Sequence, residues 1–361
     1  MKALRGVTWA AAGAVVVLAV ATGGGLLYYE AAGGEACARC HEIRPAVEEW
    51  AASTHRSVAC SACHGGPLTP DFGFHAGNLR RLVRHLRDEV PGQILVSAWR
   101  DIERITERCR TCHQEEYAAW LAGPHSTTYA DIFLDAEHNA KRLLMDDCLR
   151  CHGMHFPGSI EDLVAPISTT GPWRLVVPEL AGQPAIPCIA CHEMHRRGTP
   201  GARRLGRRER PAALTEAIAP ASLALLDRRT KVHLAVMGMP LPEILEGGRR
   251  VEMSPDRRQA LCYQCHAPEA DAAAWSGDDR TGLGVHEGIS CLACHATHTQ
   301  RTRASCAGCH PRWSNCGLDV ETMDTTFKDP KSRHNIHTVK CADCHPKGIP
   351  AKKRTARAAA D

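Results

Sequence analysis

The sequence predicts a mostly α-helical protein with long irregular loops and one transmembrane helix at its N-terminus. Only 5% of the residues are aromatic and the mean hydropathy is −0.27. Side chains alone therefore supply little of the apolar volume that a chain of 361 residues needs for its core. The N-terminal segment is, by contrast, strongly apolar. The chain also contains nineteen cysteines, and nearly all of them recur in one short motif.

The N-terminal segment has the length and flanks of a membrane anchor. Residues 7–29 form a run of 23 residues without a charged side chain, and Lys2 and Arg5 precede it. About 20 apolar residues span a bilayer as a helix, so residues 1–30 are predicted to be an anchor. The positive flank predicts a cytoplasmic N-terminus, and Tyr28 and Tyr29 suit the opposite interface. The alternative is a cleaved signal peptide, whose apolar core is usually only about 7 to 15 residues long.

Eighteen of the nineteen cysteines fall in nine C-x-x-C-H motifs. A random arrangement of these cysteines and histidines would give roughly 0.06 such motifs, so chance is excluded. In chain order the motifs are Cys37-Cys40-His41, Cys60-Cys63-His64, Cys109-Cys112-His113, Cys148-Cys151-His152, Cys188-Cys191-His192, Cys262-Cys265-His266, Cys291-Cys294-His295, Cys306-Cys309-His310 and Cys341-Cys344-His345.

The motif is typical of covalent haem attachment. Two thiols separated by two residues reach the two vinyl groups at one edge of a porphyrin, and the following histidine then lies beneath the ring as an iron ligand. A zinc site also uses C-x-x-C pairs, but tetrahedral zinc gives no reason for a histidine after every second cysteine. The sequence therefore predicts nine haem c groups. Cys316 lies outside the motifs and has no assigned role.

Haem is attached outside the bacterial cytoplasm. Together with the anchor, this predicts a single-pass protein of the cytoplasmic (inner) membrane with its haem domains on the periplasmic side. The residues sum to a charge of +4, but ionised haem propionates would bring nine ferric haems and protein to roughly −5. The basic isoelectric point therefore does not indicate a nucleic-acid partner.

Twelve histidines lie outside the motifs and are candidates for the second axial ligand. Proximity to a motif favours six of them, and three more complete a set of nine. The predicted distal ligands are His55, His286, His337, His155, His195, His298, His125, His138 and His233. His75, His85 and His334 are interpreted as surplus. Met154 and Met194 follow motif histidines and are minor alternatives, so we expect a largely bis-histidine, low-potential set of haems.

Motif spacing divides the chain into two haem-binding parts. The longest gap separates the fifth and sixth motifs and contains an Arg-, Gly- and Pro-rich run. We interpret residues 31–195 as a five-haem part, 196–230 as a basic linker and 231–350 as a four-haem part. Residues 351–361 resemble a disordered basic tail.

An amphipathic helix is predicted between the second and third motifs. From Asn78 to Val90, leucine and valine side chains share one helical face, and four arginines lie largely off it. We interpret it as a helix packed on haem with a solvated basic face. The alternative is a helix that rests on the membrane surface.

The N-terminal part resembles the membrane-anchored tetrahaem quinol dehydrogenases of the NapC/NrfH type. The similarity lies in the single span, the segment CARCHEIRPAVEEWAASTHRSVACSACHGG with Trp50, Ser53 and His55, and the motifs CRTCH and CLRCHGMH. It implies that the chain takes electrons from membrane quinol and delivers them to a periplasmic redox partner or terminal reductase. The family commonly has C-x-x-C-H-x-M at the first haem, where this chain has Ile43, so the ligand of the first iron stays open. The C-terminal SRHNIHTVKCADCH is similar to small bis-histidine multihaem cytochromes.

An electron-transfer conduit is the function that these features favour. The alternative is a multihaem reductase of nitrite, hydroxylamine or a sulfur oxyanion, which needs one iron with an open site. The surplus of histidines and the lack of a C-x-x-C-K motif argue against it. Cys37 follows Tyr29 by eight residues, which reach at most about 29 Å, so the first haem is expected near the membrane. Glu42, Asp88 and Glu89 are the nearest candidates to accept protons from quinol.

Overall fold

The structure is a computed structural model of the chain. It describes residues 2–32, 37–66, 72–89, 102–195, 222–246, 248–266 and 286–299, together with the single positions 319, 337, 346 and 347. The predicted site residues Cys306, Cys309, His310, Cys341, Cys344 and His345 lie outside these ranges, as do Cys316 and His334.

Helices dominate the described residues, as the sequence predicts, and irregular segments connect them. We number the α-helices in chain order: α1 Lys2–Ala32, α2 Arg44–Ala51, α3 Cys60–His64, α4 Phe72–Leu86, α5 Ile102–Arg110, α6 Gln114–Leu121, α7 Tyr129–Phe133, α8 Ala136–Lys141, α9 Cys148–His152, α10 Ile160–Leu163, α11 Cys188–Cys191, α12 Gln259–Cys262 and α13 Cys291–Cys294.

Short helices coincide with the cysteine motifs. In α3, α9, α11 and α13 the two cysteines of a motif lie within one helical turn. Residues i and i+3 of a helix lie on the same face, so this turn places both thiols side by side. The spacing of the two cysteines therefore matches the helical turn in which the structure places them.

Helix α1 is the longest described helix, with 31 residues. Its segment Ala11–Tyr29 is long and apolar enough to cross a membrane, and none of it is buried against the rest of the protein. The predicted long apolar helix is therefore present. Some signal sequences are also long and apolar enough to form such a helix, so helix α1 fits both an anchor and a cleaved signal peptide.

The main apolar core lies between residues 129 and 185. Phe133, Leu149 and Leu163 are fully buried there. Helix caps fix the short elements around them: Thr128 and Asp131 form a capping box on α7, and Ser159 and Asp162 form another on α10. Leu149 belongs to the fourth motif, so this core also holds α9 in place.

Three two-stranded antiparallel hairpins complete the described structure. They pair β1 Val164–Ala165 with β2 Arg174–Leu175, β3 Ala224–Asp227 with β4 Val232–Ala235, and β5 Leu245–Glu246 with β6 Arg249–Arg250. Strand β3 falls within the predicted 196–230 linker. Its residues Ala224 and Leu226 are buried and alternate with partly exposed neighbours, as is typical of a strand with one face on a core.

Ser222 and Leu223, near the end of this predicted linker, lie beside the fifth motif. The Glu193 N–H donates to the Ser222 carbonyl at 2.8 Å, and His192 forms a β-bridge with Leu223. The described residues on either side of the basic segment therefore lie next to each other.

The predicted helix between the second and third motifs is present, with different ends. Helix α4 begins at Phe72 and ends at Leu86, four residues before Val90. Asp88 has a φ of 57°, which is left-handed and incompatible with a continuing α-helix.

Candidate haem centres

Six pairs of histidine rings face each other in the described residues. Each pair joins one motif histidine to one histidine from outside the motifs. The ring centroids are 5.5 Å apart in His41–His85, 6.1 Å in His55–His113, 5.7 Å in His64–His195, 6.2 Å in His125–His266, 6.4 Å in His192–His298 and 6.2 Å in His295–His337.

These separations fit an iron between two imidazoles. Two metal–nitrogen bonds of about 2.0 Å on opposite sides of one metal separate the ring centroids by roughly 6 Å. Packing alone gives no reason for a motif histidine to meet a non-motif histidine in every one of the six pairs. The residues present therefore fit bis-histidine haem, which supplies reversible one-electron chemistry when bound.

Burial keeps several of these imidazoles in the form that binds metal. Removal from water lowers the pKa of His125 to about 4, with a further contribution from His266. It lowers the pKa of His192 to about 4 in the same way, with His298 as the next cause. Both rings are therefore neutral at pH 7, and a neutral imidazole nitrogen is the iron ligand.

Five of the nine predicted distal histidines face a motif histidine: His55, His125, His195, His298 and His337. His138 lies within electrostatic range of the fourth motif, since its charge contributes to the lowered pKa of His152, after burial and His266. His286 and His233 are also described, and the Nδ1 of His233 lies 4.0 Å from Glu193.

His155 is buried beside the fourth motif with neither ring nitrogen hydrogen-bonded among the described residues. Its neighbours Tyr129, Phe156 and Leu180 are largely apolar, and burial lowers its pKa to about 3. A buried polar ring without a partner is costly. This environment therefore fits the prediction that His155 ligates an iron.

His85 differs from its sequence-based interpretation as a surplus residue. Its ring faces that of His41, and its Nδ1 donates a hydrogen bond to the Glu42 carboxylate at 2.5 Å. The same carboxylate oxygen lies 3.2 Å from the His41 Nε2, and Glu42 is only 6% exposed. His85 lies far along the chain from every motif, so the sequence gives no sign that it is near one. Helix α4 brings it back to the first motif.

The Trp50–Ser53–His55 element is a turn that points His55 at the third motif. The Ser53 hydroxyl donates to the Trp50 carbonyl at 2.8 Å, and the His55 N–H donates to the Ser53 Oγ at 3.1 Å. The Trp50 indole N–H closes the turn on the Val58 carbonyl at 3.1 Å. The buried Ser53 hydroxyl thus acts both as a hydrogen-bond donor and as an acceptor within this turn.

The first three motifs are neighbours in space. On α4, Arg81 lies within electrostatic range of His64 of the second motif, and His85, one helical turn later, faces His41 of the first. The Arg108 guanidinium, next to the third motif, donates to the carbonyl of Cys63 in the second.

The next neighbours do not follow chain order. Helix α5, which carries Cys109, packs against α11, which carries Cys188, and Cys188 is the largest cause of the raised pKa of the Cys109 thiol, so the third motif adjoins the fifth. Cys191 of the fifth motif lies within electrostatic range of both cysteines of the sixth. The sixth motif then contacts two others, the seventh through Cys262–Cys291 and the fourth through Cys265–Cys151.

Histidine pairs also cross the predicted 196–230 linker. His125, from the predicted five-haem part, faces His266 of the four-haem part, and His298 of the latter faces His192 of the former. The two parts therefore complete each other's sites.

Residues 108–167 match the family model described as cytochrome c554 and c-prime. This stretch contains the third and fourth motifs together with His125, His138 and His155. No curated protein and no solved structure matches the chain. The match supports a c-type cytochrome, a protein that carries covalently bound haem c and transfers electrons.

Proposed function

We propose that this chain is a nine-haem, membrane-anchored cytochrome that takes electrons from membrane quinol and passes them to a periplasmic redox partner or terminal reductase. The six pairs of motif and non-motif histidines carry the proposal. Irons with two histidine ligands have no open position for a substrate, so these sites suit electron transfer rather than reduction of nitrite, hydroxylamine or a sulfur oxyanion.

The count of nine rests on the nine motifs. Six of them have a paired distal histidine, and the fourth has His138 nearby. The eighth and ninth lie outside the described residues. His155, His233 and His286 remain as described candidates for further distal ligands.

The first motif is the proposed site at which quinol delivers electrons. The Arg39 guanidinium, inside this motif, lies over the Tyr28 ring at 5.0 Å from its centroid, a cation–π contact. Tyr28 is near the end of the proposed membrane span. This contact keeps the motif at the end of α1, which supports the role implied by the NapC/NrfH-type resemblance.

The proposed route follows the motif contacts. Electrons enter at the first motif and pass through the second, third and fifth to the sixth, from which the fourth and seventh branch. The route therefore leads away from the N-terminal anchor.

Loss of the first attachment site tests where electrons enter. Cys37→Ala, Cys40→Ala and His41→Ala together remove the first site, and Cys291→Ala, Cys294→Ala and His295→Ala form the matched control at the seventh. Both variants should mature with eight haems. A quinol analogue should reduce the control but not the first-site variant, while dithionite reduces both.

Unchanged reduction of the first-site variant by quinol would place electron uptake elsewhere and contradict the proposal. High-spin iron in stoichiometric amount that binds nitrite or cyanide tightly would favour the reductase alternative instead.

A further inference from the structure

Helix α4 presents an apolar stripe that no described residue covers. Leu79 is 62% exposed, Leu82 is 51% exposed and Leu86 is 75% exposed, with Val83 beside them. At 3.6 residues per turn these four side chains lie on one side of the helix. An exposed stripe of large apolar side chains indicates a contact surface.

This stripe is not the side that faces the haem centres. The ring of His85 lies beside that of His41 in the first motif, and Arg81, on the same side of α4, lies within electrostatic range of His64 in the second. By helical geometry, the direction of Arg81 and His85 lies roughly 130° around the axis from the centre of the stripe. Groups bound at these two motifs therefore lie to one side of the centre of the stripe.

The third side of α4 is basic. Arg80, Arg84 and Arg87 are exposed there, and Arg80 and Arg87 are seven residues apart, almost in line along the axis. An apolar stripe with arginines at its border is the pattern of a helix that lies in a membrane interface. The partner that such charges select is an anionic phospholipid.

The position of α4 next to the anchored motif favours the same partner. The Arg39–Tyr28 contact ties the first motif to the end of the proposed span, and His85 ties α4 to that motif through His41 and Glu42. Among the described residues the first motif links the two helices, so a bilayer crossed by α1 lies within reach of α4.

We propose that α4 lies in the interface of an anionic membrane, with Leu79, Leu82, Val83 and Leu86 among the acyl chains and the arginines at the lipid phosphates. The inference rests on the anchoring part of the proposed function. It assigns α4 the task of holding the first haem centre, through His85, at the depth where quinol arrives.

Hydrogen exchange of α4 in full-length holo-cytochrome tests this surface. The protein is reconstituted in vesicles of phosphatidylcholine alone and of phosphatidylcholine with about 30% phosphatidylglycerol. Residues 65–108 contain no cysteine, so peptides from α4 carry no haem and are readily identified by mass. We expect the α4 amides to exchange several-fold more slowly in the anionic vesicles.

Two variants separate the charged and apolar contributions. Arg80→Gln with Arg87→Gln should abolish the difference between the two lipids, since each arginine near an anionic surface contributes roughly fivefold. Leu79→Ser with Leu86→Ser should speed exchange in both lipids. Arg174→Gln with Arg229→Gln removes two exposed charges elsewhere and should leave the difference intact. Low-spin haem spectra check that each variant has matured.

The inference is overturned if α4 exchanges equally in both lipids, if the Arg174 and Arg229 control behaves like the α4 variant, or if the chain leaves the vesicles altogether. Quinol reduction is measured on the same samples. If quinol fails to reduce the cytochrome while α4 keeps its lipid-dependent protection, the quinol function fails and the membrane contact stands.

Discussion

At the scale of single residues, His85 and Glu42 decide how the first iron is held. A ligating histidine usually donates its other ring N–H to a carboxylate or carbonyl, which fixes the ring and raises the basicity of the ligand. The 2.5 Å contact from the His85 Nδ1 to Glu42 has this form. Since Ile43 stands where a methionine is common in the NapC/NrfH-type proteins, His85 is the ligand we propose for this iron.

Replacing His85 by Ala should convert one haem from low spin to high spin, because the first iron then loses its distal ligand. Electron paramagnetic resonance of the oxidised protein measures this change. Glu42→Gln is the matched control: it keeps His85, so all haems should stay low-spin, and the reduction potential of the first haem should rise as the ligand becomes less basic. A fully low-spin spectrum for His85→Ala would show that another residue caps the first iron.

At the scale of elements, each of these cysteine motifs lies on one short helical turn, whereas a haem centre is built from two separate elements. In a turn such as Cys60–His64 both cysteines lie on one short helix. A complete centre needs a second element, as when the Trp50–Ser53 turn directs His55 towards the third motif. Attachment of haem and completion of its ligation are therefore separate structural problems.

Helix α1 is expected to hold the protein in the membrane. If it is an anchor, the full-length cytochrome should remain in the membrane through a carbonate wash, because 19 apolar residues span the bilayer and a high pH removes only peripheral contacts. Immunoblotting of the pellet and supernatant measures this. Release of a soluble cytochrome whose first residue lies near Glu30 would identify a cleaved signal peptide instead.

At the scale of the whole molecule, the centres form a connected set that does not follow chain order. The fourth motif adjoins the sixth, and pairs such as His125–His266 reach across the basic linker. Interdigitation of this kind makes the two predicted haem-binding parts depend on each other.

The mature protein should carry nine covalent haems, nearly all low-spin, as each motif attaches one group and histidines suffice for every iron. Intact mass under denaturing conditions, compared with the polypeptide mass, gives the number, and visible spectra give the spin state. Seven or fewer haems in fully matured protein would contradict the count.

The sequence by itself determined the haem attachment sites and the apolar N-terminal helix. Thiols at i and i+3 with a following histidine define an attachment site within one turn, and 23 uncharged residues define an apolar helix, because both depend only on neighbouring residues. His55, His195 and His298 lie close to a motif in the sequence and are predicted iron ligands, and in the structure each lies beside a motif histidine.

Only the tertiary structure decided which histidine meets which. His85 lies 44 residues beyond His41, and nothing in the spacing indicates that α4 returns to the first motif. His125 meets His266 across 141 residues. Such pairs depend on how helices and turns pack, and no local pattern encodes that packing. The contact order of the motifs and the uncovered stripe of α4 follow from the same long-range packing.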